Sequence, residues 1–417
     1  MMYDLAVIGG GPGGYVAAIR GAQENLKVLL IEKDALGGTC LNRGCIPTKC
    51  YVYDTKLYHA VKNSPVLKGA ESVSIALEKM VSRKRKVVET LVGGVRAILK
   101  SHQVEVVSGL GELTAPGRIR VSRAGGGSRE TQAGKIVLAT GSRPAVLPFI
   151  DVDGDLVQTT DEALDTEHIP DRIIIIGGGV IGVEMAAIYL NLGREVTILE
   201  LLPDILVTED AEVRRTMRTL LTRRGAAIHC NVKAKEVIPQ GDRVRIMVED
   251  EKGGTSSLDA GRLLVATGRA PVLDGIDARK LGLQKEGPFL KVNSRLETNL
   301  PGVYAIGDLV GGMMLAHTAS AEAETAVANI RGERREFRSQ WVPRCIWGPT
   351  EIGAVGMTEE EAGRSGRSVK VGKFPYSGSG AARAMGDPEG FVKIVGDAET
   401  GEILGVHILG EHATDLI

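Results

Sequence analysis

Two cysteines five residues apart form the first pair in this chain whose types and spacing could do redox chemistry. They lie in Gly37-Gly38-Thr39-Cys40-Leu41-Asn42-Arg43-Gly44-Cys45-Ile46-Pro47-Thr48-Lys49. In an unbroken α-helix their Cα atoms would stand about 8.6 Å apart, beyond the ~7 Å that a disulfide can span. A bridge therefore requires the backbone to leave the helix between them. Gly44 permits that, and Pro47 suits the first turn of a helix beginning just after Cys45. Cys45 would then occupy a helix N-terminus, where the dipole favours the thiolate, with Lys49 one turn along the same face. A buried structural pair or an incidental metal site is the alternative. Two Cys without a neighbouring Cys or His cluster make a poor zinc ligand set, so no metal ligands are assigned. Cys50, Cys230 and Cys345 have no partner in the sequence and read as small packed residues.

A second chemistry lies in two glycine-rich turns. Tyr3 to Ile8 is an apolar strand entering Gly9-Gly10-Gly11-Pro12-Gly13-Gly14, followed by a helical stretch and a strand Val28 to Ile31 that ends at Glu32. The programme recurs from Arg172 to Ile176, through Gly177-Gly178-Gly179-Val180-Ile181-Gly182, to a strand Val196 to Leu199 ending at Glu200. From first glycine to acid the count is the same, 32 − 9 = 200 − 177 = 23. One such turn is a weak signal; two in register, each between a strand and a helix, imply two dinucleotide sites. Gly9 and Gly177 make the tight turn, Gly11 and Gly179 let a pyrophosphate approach, and Gly14 and Gly182 let helix and strand pack. Glu32 and Glu200 would accept from an adenosine ribose.

These turns need elements around them. Each copy runs on through an alternating, Gly-rich, hairpin-like stretch (Arg118 to Gly134, Arg243 to Gly261) into Ala-Thr-Gly at 139–141 and 266–268. The distances from first glycine to this Ala are 130 and 89, so the first copy carries 130 − 89 = 41 extra residues, among them the cysteine segment. The length of 417 residues suits two to three domains. With 51 Lys plus Arg against 52 Asp plus Glu, no global field recruits nucleic acid or an anionic membrane. Arg83-Lys84-Arg85-Lys86 reads as a solvated helix face, because Met80, Val81, Val88, Leu91, Val92, Val95, Ile98 and Leu99 recur around it at helical spacing. Five Cys are too few for a secreted disulfide framework and favour a reducing, cytoplasmic setting. The apolar start lacks a basic n-region and is broken by glycines, unlike a signal peptide.

Paired dinucleotide folds with Gly-Gly-Thr-Cys-x-Asn-x-Gly-Cys-x-Pro-x-Lys in the first resemble the class I flavoprotein disulfide reductases, the pyridine nucleotide-disulfide oxidoreductases. The similarity runs through the whole chain. Val303-Tyr304-Ala305-Ile306-Gly307-Asp308 with Met314-Leu315-Ala316-His317 resembles the family's second flavin-binding stretch. Val342 to Glu361, Arg383-Ala384 and Gly390-Phe391-Val392-Lys393 resemble its interface domain.

The resemblance implies an α/β protein with two doubly wound Rossmann-like domains and a C-terminal α+β dimerisation domain. Residues 1–145 and 269–338 would bind FAD, 146–268 would bind NAD, and 339–417 would form a homodimer interface. FAD would be held by Gly9, Gly11, Gly14, Glu32, Lys49, Gly111, Thr140, Gly141, Ser142, Asp308, Met314, Leu315, Ala316 and the backbone of His317. NAD would be held by Gly177, Gly179, Gly182, Glu184, Glu200, Val232 and Gly268. Cys40 would meet substrate, Cys45 would face the flavin, and Lys49 would pair with Glu184.

Glu200 repels a 2'-phosphate, and Leu201, Leu202 and Pro203 supply no Arg to receive one, so NAD is expected over NADP. The nearest branch of the family implies oxidation of protein-bound dihydrolipoyl groups, carried by a 2-oxoacid dehydrogenase or glycine-cleavage protein. Another disulfide reductase, a mercuric-ion reductase, or a non-catalytic flavoprotein interaction module is the alternative. The family's base lies in a His-Pro-x-x-x-x-Glu segment that residues 1–417 do not show, so either the sequence is truncated or the chain lacks full activity, with His407 expected as a strand residue and His412 as a surface one rather than substitutes.

Overall fold

In the computed structural model, which describes residues 2–123, 125–166 and 168–417, the chain forms two compact units. One comprises Met1–Pro47, Lys84–Arg143 and Arg269–Ser339; the other comprises Thr48–Arg83, Pro144–Gly268 and Gln340–Ile417.

The first unit is organised by a seven-stranded sheet. Strands Glu105–Ser108, Val28–Glu32, Met2–Ile8 and Ser128–Leu138 lie side by side in parallel. The long strand Ser128–Leu138 then divides its pairing: residues 128–132 run antiparallel to Arg118–Ser122, and residues 136–138 run parallel to Val303–Ala305. Alternation sends Ala6, Ile8, Leu29 and Ile31 into one apolar layer and Leu5, Val7, Val28 and Leu30 into the other. A sheet buried on both faces needs such near-continuous apolar strands. The helices Pro12–Gln23 and Ala316–Ile330 pack against each other in this unit.

The second unit holds a five-stranded parallel sheet in the order Ala227–His229, Glu195–Leu199, Arg172–Ile176, Arg262–Val265, Val157–Gln158. It also holds an antiparallel trio, Lys233–Gln240, Arg243–Glu249 and Thr255–Ala260. A five-stranded antiparallel sheet follows, in the order Arg344–Trp347, Glu351–Gly356, Ile403–Leu409, Phe391–Asp397, Val369–Pro375. The expected fold class, paired Rossmann-like sheets with a C-terminal α+β portion, is borne out.

Register explains why the acids meet the glycine turns. Ile8 pairs with Ile31 and Ile176 with Leu199, so Gly9 leaves one strand level with Glu32, and Gly177 leaves the other level with Glu200. The 23-residue spacing is what the helix between these strands consumes before the chain returns to that level.

Two sequence expectations need correction. The basic run does lie on a helix, Leu77–Ser101, but Lys84 is buried rather than solvated, while Leu91 and Ile98 of the apolar set are exposed. The helix thus presents a mixed face that a 3.6-residue pattern assigns too simply. Cys50 is packed inside as expected, whereas Cys230 and Cys345 are only half-buried. Among the described residues, no helix is long and apolar enough to cross a membrane.

Candidate active site

In both glycine turns the backbone itself forbids other residues. Gly9 and Gly177 have φ of +107° and +109°, and a Cβ there would lie 2.2 Å from the Ala139 carbonyl oxygen or 2.3 Å from that of Ala266. At Gly14 and Gly182 it would strike the carbonyl oxygens of Gly9 and Gly177 at 1.8 and 1.9 Å. Gly11 and Gly179 are different. They cap helices Pro12–Gln23 and Val180–Asn191 with extended backbone, and a Cβ would meet only Gly38 Cα at 3.8 Å or open space. That leaves a side-chain-free approach to a helix N-terminus in each copy, which is the shape a pyrophosphate needs. The residues present therefore fit two dinucleotides. Gly14→Ala is expected to yield protein without flavin colour, and Gly182→Ala to keep the colour but lose NADH oxidation; absorbance and NADH turnover of the two variants check this.

Sequence reasoning gave Glu32 and Glu200 to the ribose alone. The structure shows a prior task. Glu32 Oε2 accepts the Gly10 N–H at 2.6 Å and Oε1 the Asp34 N–H at 2.7 Å; Glu200 repeats this with Gly178 at 2.6 Å and Leu202 at 2.8 Å. Each carboxylate fixes its turn, and each oxygen keeps a lone pair for a ligand. Val232 donates its N–H to the Glu200 carbonyl at 3.0 Å, and Gly268 is exposed with φ of +110°.

The helix breaks between the cysteines. A short helix Gly38–Arg43 carries Cys40 and stops at Gly44, with φ −133° and ψ −109°; the helix Cys45–Lys62 starts at once, with Pro47 in its first turn. Asn42 Nδ2 donates to the Leu36 and Gly38 carbonyls at 3.0 and 2.8 Å, tying this segment down. Both thiols are half-buried. Tyr15, on the helix Pro12–Gln23, is near enough that the two cysteines add to the effect of burial in raising its phenol above the usual value.

Elsewhere in the first unit, Ser142 and Asp308 come together. The Ser142 hydroxyl donates to Asp308 Oδ2, Arg269 donates to Ser142 Oγ at 2.6 Å and to its carbonyl at 2.8 Å, and Arg269 lies 3.5 Å from Asp308. Thr140 Oγ1 donates to the Val272 carbonyl at 2.6 Å, and Gly141 accepts the Val272 N–H at 2.9 Å. Gly111 is buried, its Cα facing Ile8 and Ile31. Met314 has φ of +48°, Leu315 caps the helix that starts at Ala316, and His317 is exposed on its first turn.

Glu322, buried on that same helix, accepts the Gly307 N–H at 2.6 Å. Burial, opposed by this bond and reinforced by the Asp308 charge, pushes its carboxyl up to about 7. The folded state thus keeps a proton that the unfolded state loses at about 4.5, so stability falls as pH rises through the window between the two. Glu322→Gln is expected to remove a slope worth on the order of 3 kcal/mol across that window; equal pH dependence of the melting temperature in both proteins would contradict it.

In the second unit Lys49 reaches both oxygens of the buried Glu184 at 2.9 and 2.8 Å. The Trp347 N–H donates to Glu184 Oε1 at 3.2 Å, and Lys49 Nζ stands 4.2 Å from the Trp347 ring centroid. A buried carboxylate so held has a cation and an N–H, and the cation has a ring face as well. Cys345, two residues before Trp347, is raised by burial, with the Lys49 charge acting against it. Sequence reasoning missed Trp347, Arg269 and Glu322. Arg269 directly follows the second Ala-Thr-Gly, a usable signal; Trp347 and Glu322 carry none in spacing. His407 is fully buried in its strand, its Nε2 2.9 Å from the Met357 carbonyl, and His412 is exposed.

Comparison with known proteins adds to this geometry. The sequence profile of the family "Pyridine nucleotide-disulphide oxidoreductase" matches residues 3–323, and that of its dimerisation domain matches residues 342–417. Dihydrolipoyl dehydrogenase of Bacillus subtilis is 40% identical over 431 residues, covering 100% of this chain and 90% of its own. The Chlorobaculum tepidum enzyme of that name is 41% identical over 418 residues, covering 100% and 89%. Among solved structures, LpdA from Mycobacterium tuberculosis superposes with a TM-score of 0.92 at 29% identity, over 99% of this chain and 91% of that one. The HOCl-induced flavoprotein disulfide reductase RclA from Escherichia coli does so with a TM-score of 0.86 at 28% identity, over 99% and 91%.

Proposed function

The chain belongs to the pyridine nucleotide-disulphide oxidoreductases, and from that premise we propose that it is an NAD-linked, FAD-dependent dihydrolipoyl dehydrogenase. The observation that carries this reading is the helix break at Gly44, which starts a helix at Cys45 five residues after Cys40.

In the oxidised protein Cys40 and Cys45 share a disulfide. A dihydrolipoyl thiolate attacks Cys40 Sγ, forming a mixed disulfide and releasing Cys45 as thiolate; the second lipoyl thiol then attacks the mixed disulfide, leaving Cys40 reduced and the lipoyl group oxidised. The helix N-terminus at Cys45 stabilises the thiolate it releases. Bound flavin supplies the two-electron relay by which the dithiol is reoxidised and NAD+ reduced. Gly9, Gly11, Gly14, Gly111 and Thr140 to Ser142 with Asp308 and the 314–317 segment hold FAD. The second turn, with Glu200, Val232 and Gly268, holds NAD. Lys49 is held in place by Glu184 and Trp347.

Residues 1–145 and 269–338 serve the flavin, 146–268 the nicotinamide, and 339–417 a homodimer interface. The substrate is the lipoyl arm of a 2-oxoacid dehydrogenase or glycine-cleavage carrier, in the cytoplasm. Assays with dihydrolipoamide, glutathione disulfide and mercuric ion test the reading. The highest kcat/KM is expected with dihydrolipoamide, and a higher value with either of the others would overturn it.

A further inference from the structure

We propose that Arg344 and Lys393, two cations of the C-terminal antiparallel sheet, are positioning residues for the second glycine turn; the proposal rests on the assignment of that turn to NAD. After Glu200 the chain folds back against the turn. Leu206, with φ of +49°, donates its N–H to the Gly178 carbonyl at 2.9 Å, and Ile205 fills the space where a Gly178 Cβ would come 2.6 Å from its Cγ2. Ile205 and Leu206 are buried, whereas Leu201 and Leu202 of the same loop are exposed, so the loop's apolar packing is concentrated in the two residues against the turn. Ile205 and Leu206 are thus the outer wall of the turn, and the far end of the loop adds a second anchor behind them.

That end is anchored by charge. Glu209, whose N–H bonds the Leu206 carbonyl at 2.8 Å, and Asp210 are 1% and 0% exposed. Arg344 donates to Glu209 from Nε at 2.9 Å and from a terminal nitrogen at 3.3 Å. Lys393 donates to both Asp210 oxygens at 2.8 and 3.0 Å. Asp210 also caps the helix Ala211–Arg223 through the Glu212 N–H at 3.0 Å, and it accepts the Glu359 N–H at 3.2 Å. Burial alone would raise the Asp210 carboxyl, but the Lys393 bond and the two backbone donors outweigh it and hold it below the usual range. Removing either cation would leave a buried carboxylate without its ion-pair partner, which is strongly unfavourable. Both cations come from the C-terminal antiparallel sheet, outside the turn's own Gly-x-Gly-x-x-Gly sequence. Losing one lets the loop relax toward solvent, and a small displacement of a binding turn costs affinity.

The test uses the flavin-loaded protein with NADH as donor and a quinone as artificial acceptor. Arg344→Met and Lys393→Met are each expected to raise KM for NADH about tenfold while leaving kcat and the quinone KM within about twofold. Arg344→Lys, which keeps the charge, is expected to restore most of the affinity. If a single variant does not fold, the neutral pairs Glu209→Gln with Arg344→Met and Asp210→Asn with Lys393→Met replace it; Asn still caps the helix, and the same direction is expected. An unchanged NADH KM in the folded variants, or an equal change in both KM values, would overturn the proposal. Gly179→Val separates the two levels of the argument. If it raises the NADH KM while the cation variants do not, only the positioning role is lost. If it has no effect, the NAD assignment falls, and the proposal with it.

Discussion

Cys45→Ser is expected to lower dihydrolipoamide turnover by about 10⁴-fold or more, the scale on which removing a reacting nucleophile acts, and to abolish the long-wavelength thiolate-to-flavin band of the two-electron-reduced protein. Cys40→Ser should lose the same turnover yet show the band without any reductant, because Cys45 is then a thiolate with no disulfide partner. The asymmetry follows from position. Cys45 opens the helix Cys45–Lys62, while Cys40 lies in the short preceding helix Gly38–Arg43, so only Cys45 meets the positive end of a long helix. Bands that respond the other way round would reverse the two roles. Flavin content should be unchanged in both variants, since neither thiol belongs to the glycine turn, and absorbance of the same samples checks that.

Discrimination between NADH and NADPH should be about a hundredfold in kcat/KM, or about 2.7 kcal/mol. Glu200 is almost wholly buried and is held by the Gly178 and Leu202 N–H groups, so it cannot swing aside for a 2'-phosphate. Arg218, like Glu200, acts on the Cys230 thiol. It is engaged by Asp204 at 3.4 Å, which lessens what it could offer a phosphate. Comparable kcat/KM values for the two nucleotides would contradict this account.

How much of this was legible beforehand follows from what each feature depends on. The paired turns were readable because their geometry is local: a positive φ at Gly9 and Gly177, and carbonyl contacts at Gly14 and Gly182, exclude every other residue type. The break at Gly44 was readable from the reach of a disulfide against the rise of a helix. Glu32 and Glu200 were found, but their bonds to Gly10 and Gly178 were not, because those arise from the register of parallel strands. Trp347 and Glu322 were invisible for a related reason. Trp347 meets Lys49 and Glu184 through three segments far apart in sequence, and Glu322 is buried because its helix turns that face inward, although acids normally mark a solvated face. Lys84 was misread by the same rule, since a charge run predicts exposure on average and not residue by residue.

The central claim is that Cys40 and Cys45 form the redox couple between nicotinamide and lipoyl substrate. It is tested most directly by alkylating the protein under anaerobic conditions before and after one equivalent of NADH and mapping the label by mass spectrometry. Two electrons convert one disulfide into two thiols, so label should appear on Cys40 and Cys45 only after NADH and leave Cys50, Cys230 and Cys345 at their starting levels. Label that does not change at Cys40 and Cys45, or that appears instead at Cys230 or Cys345, would contradict the account.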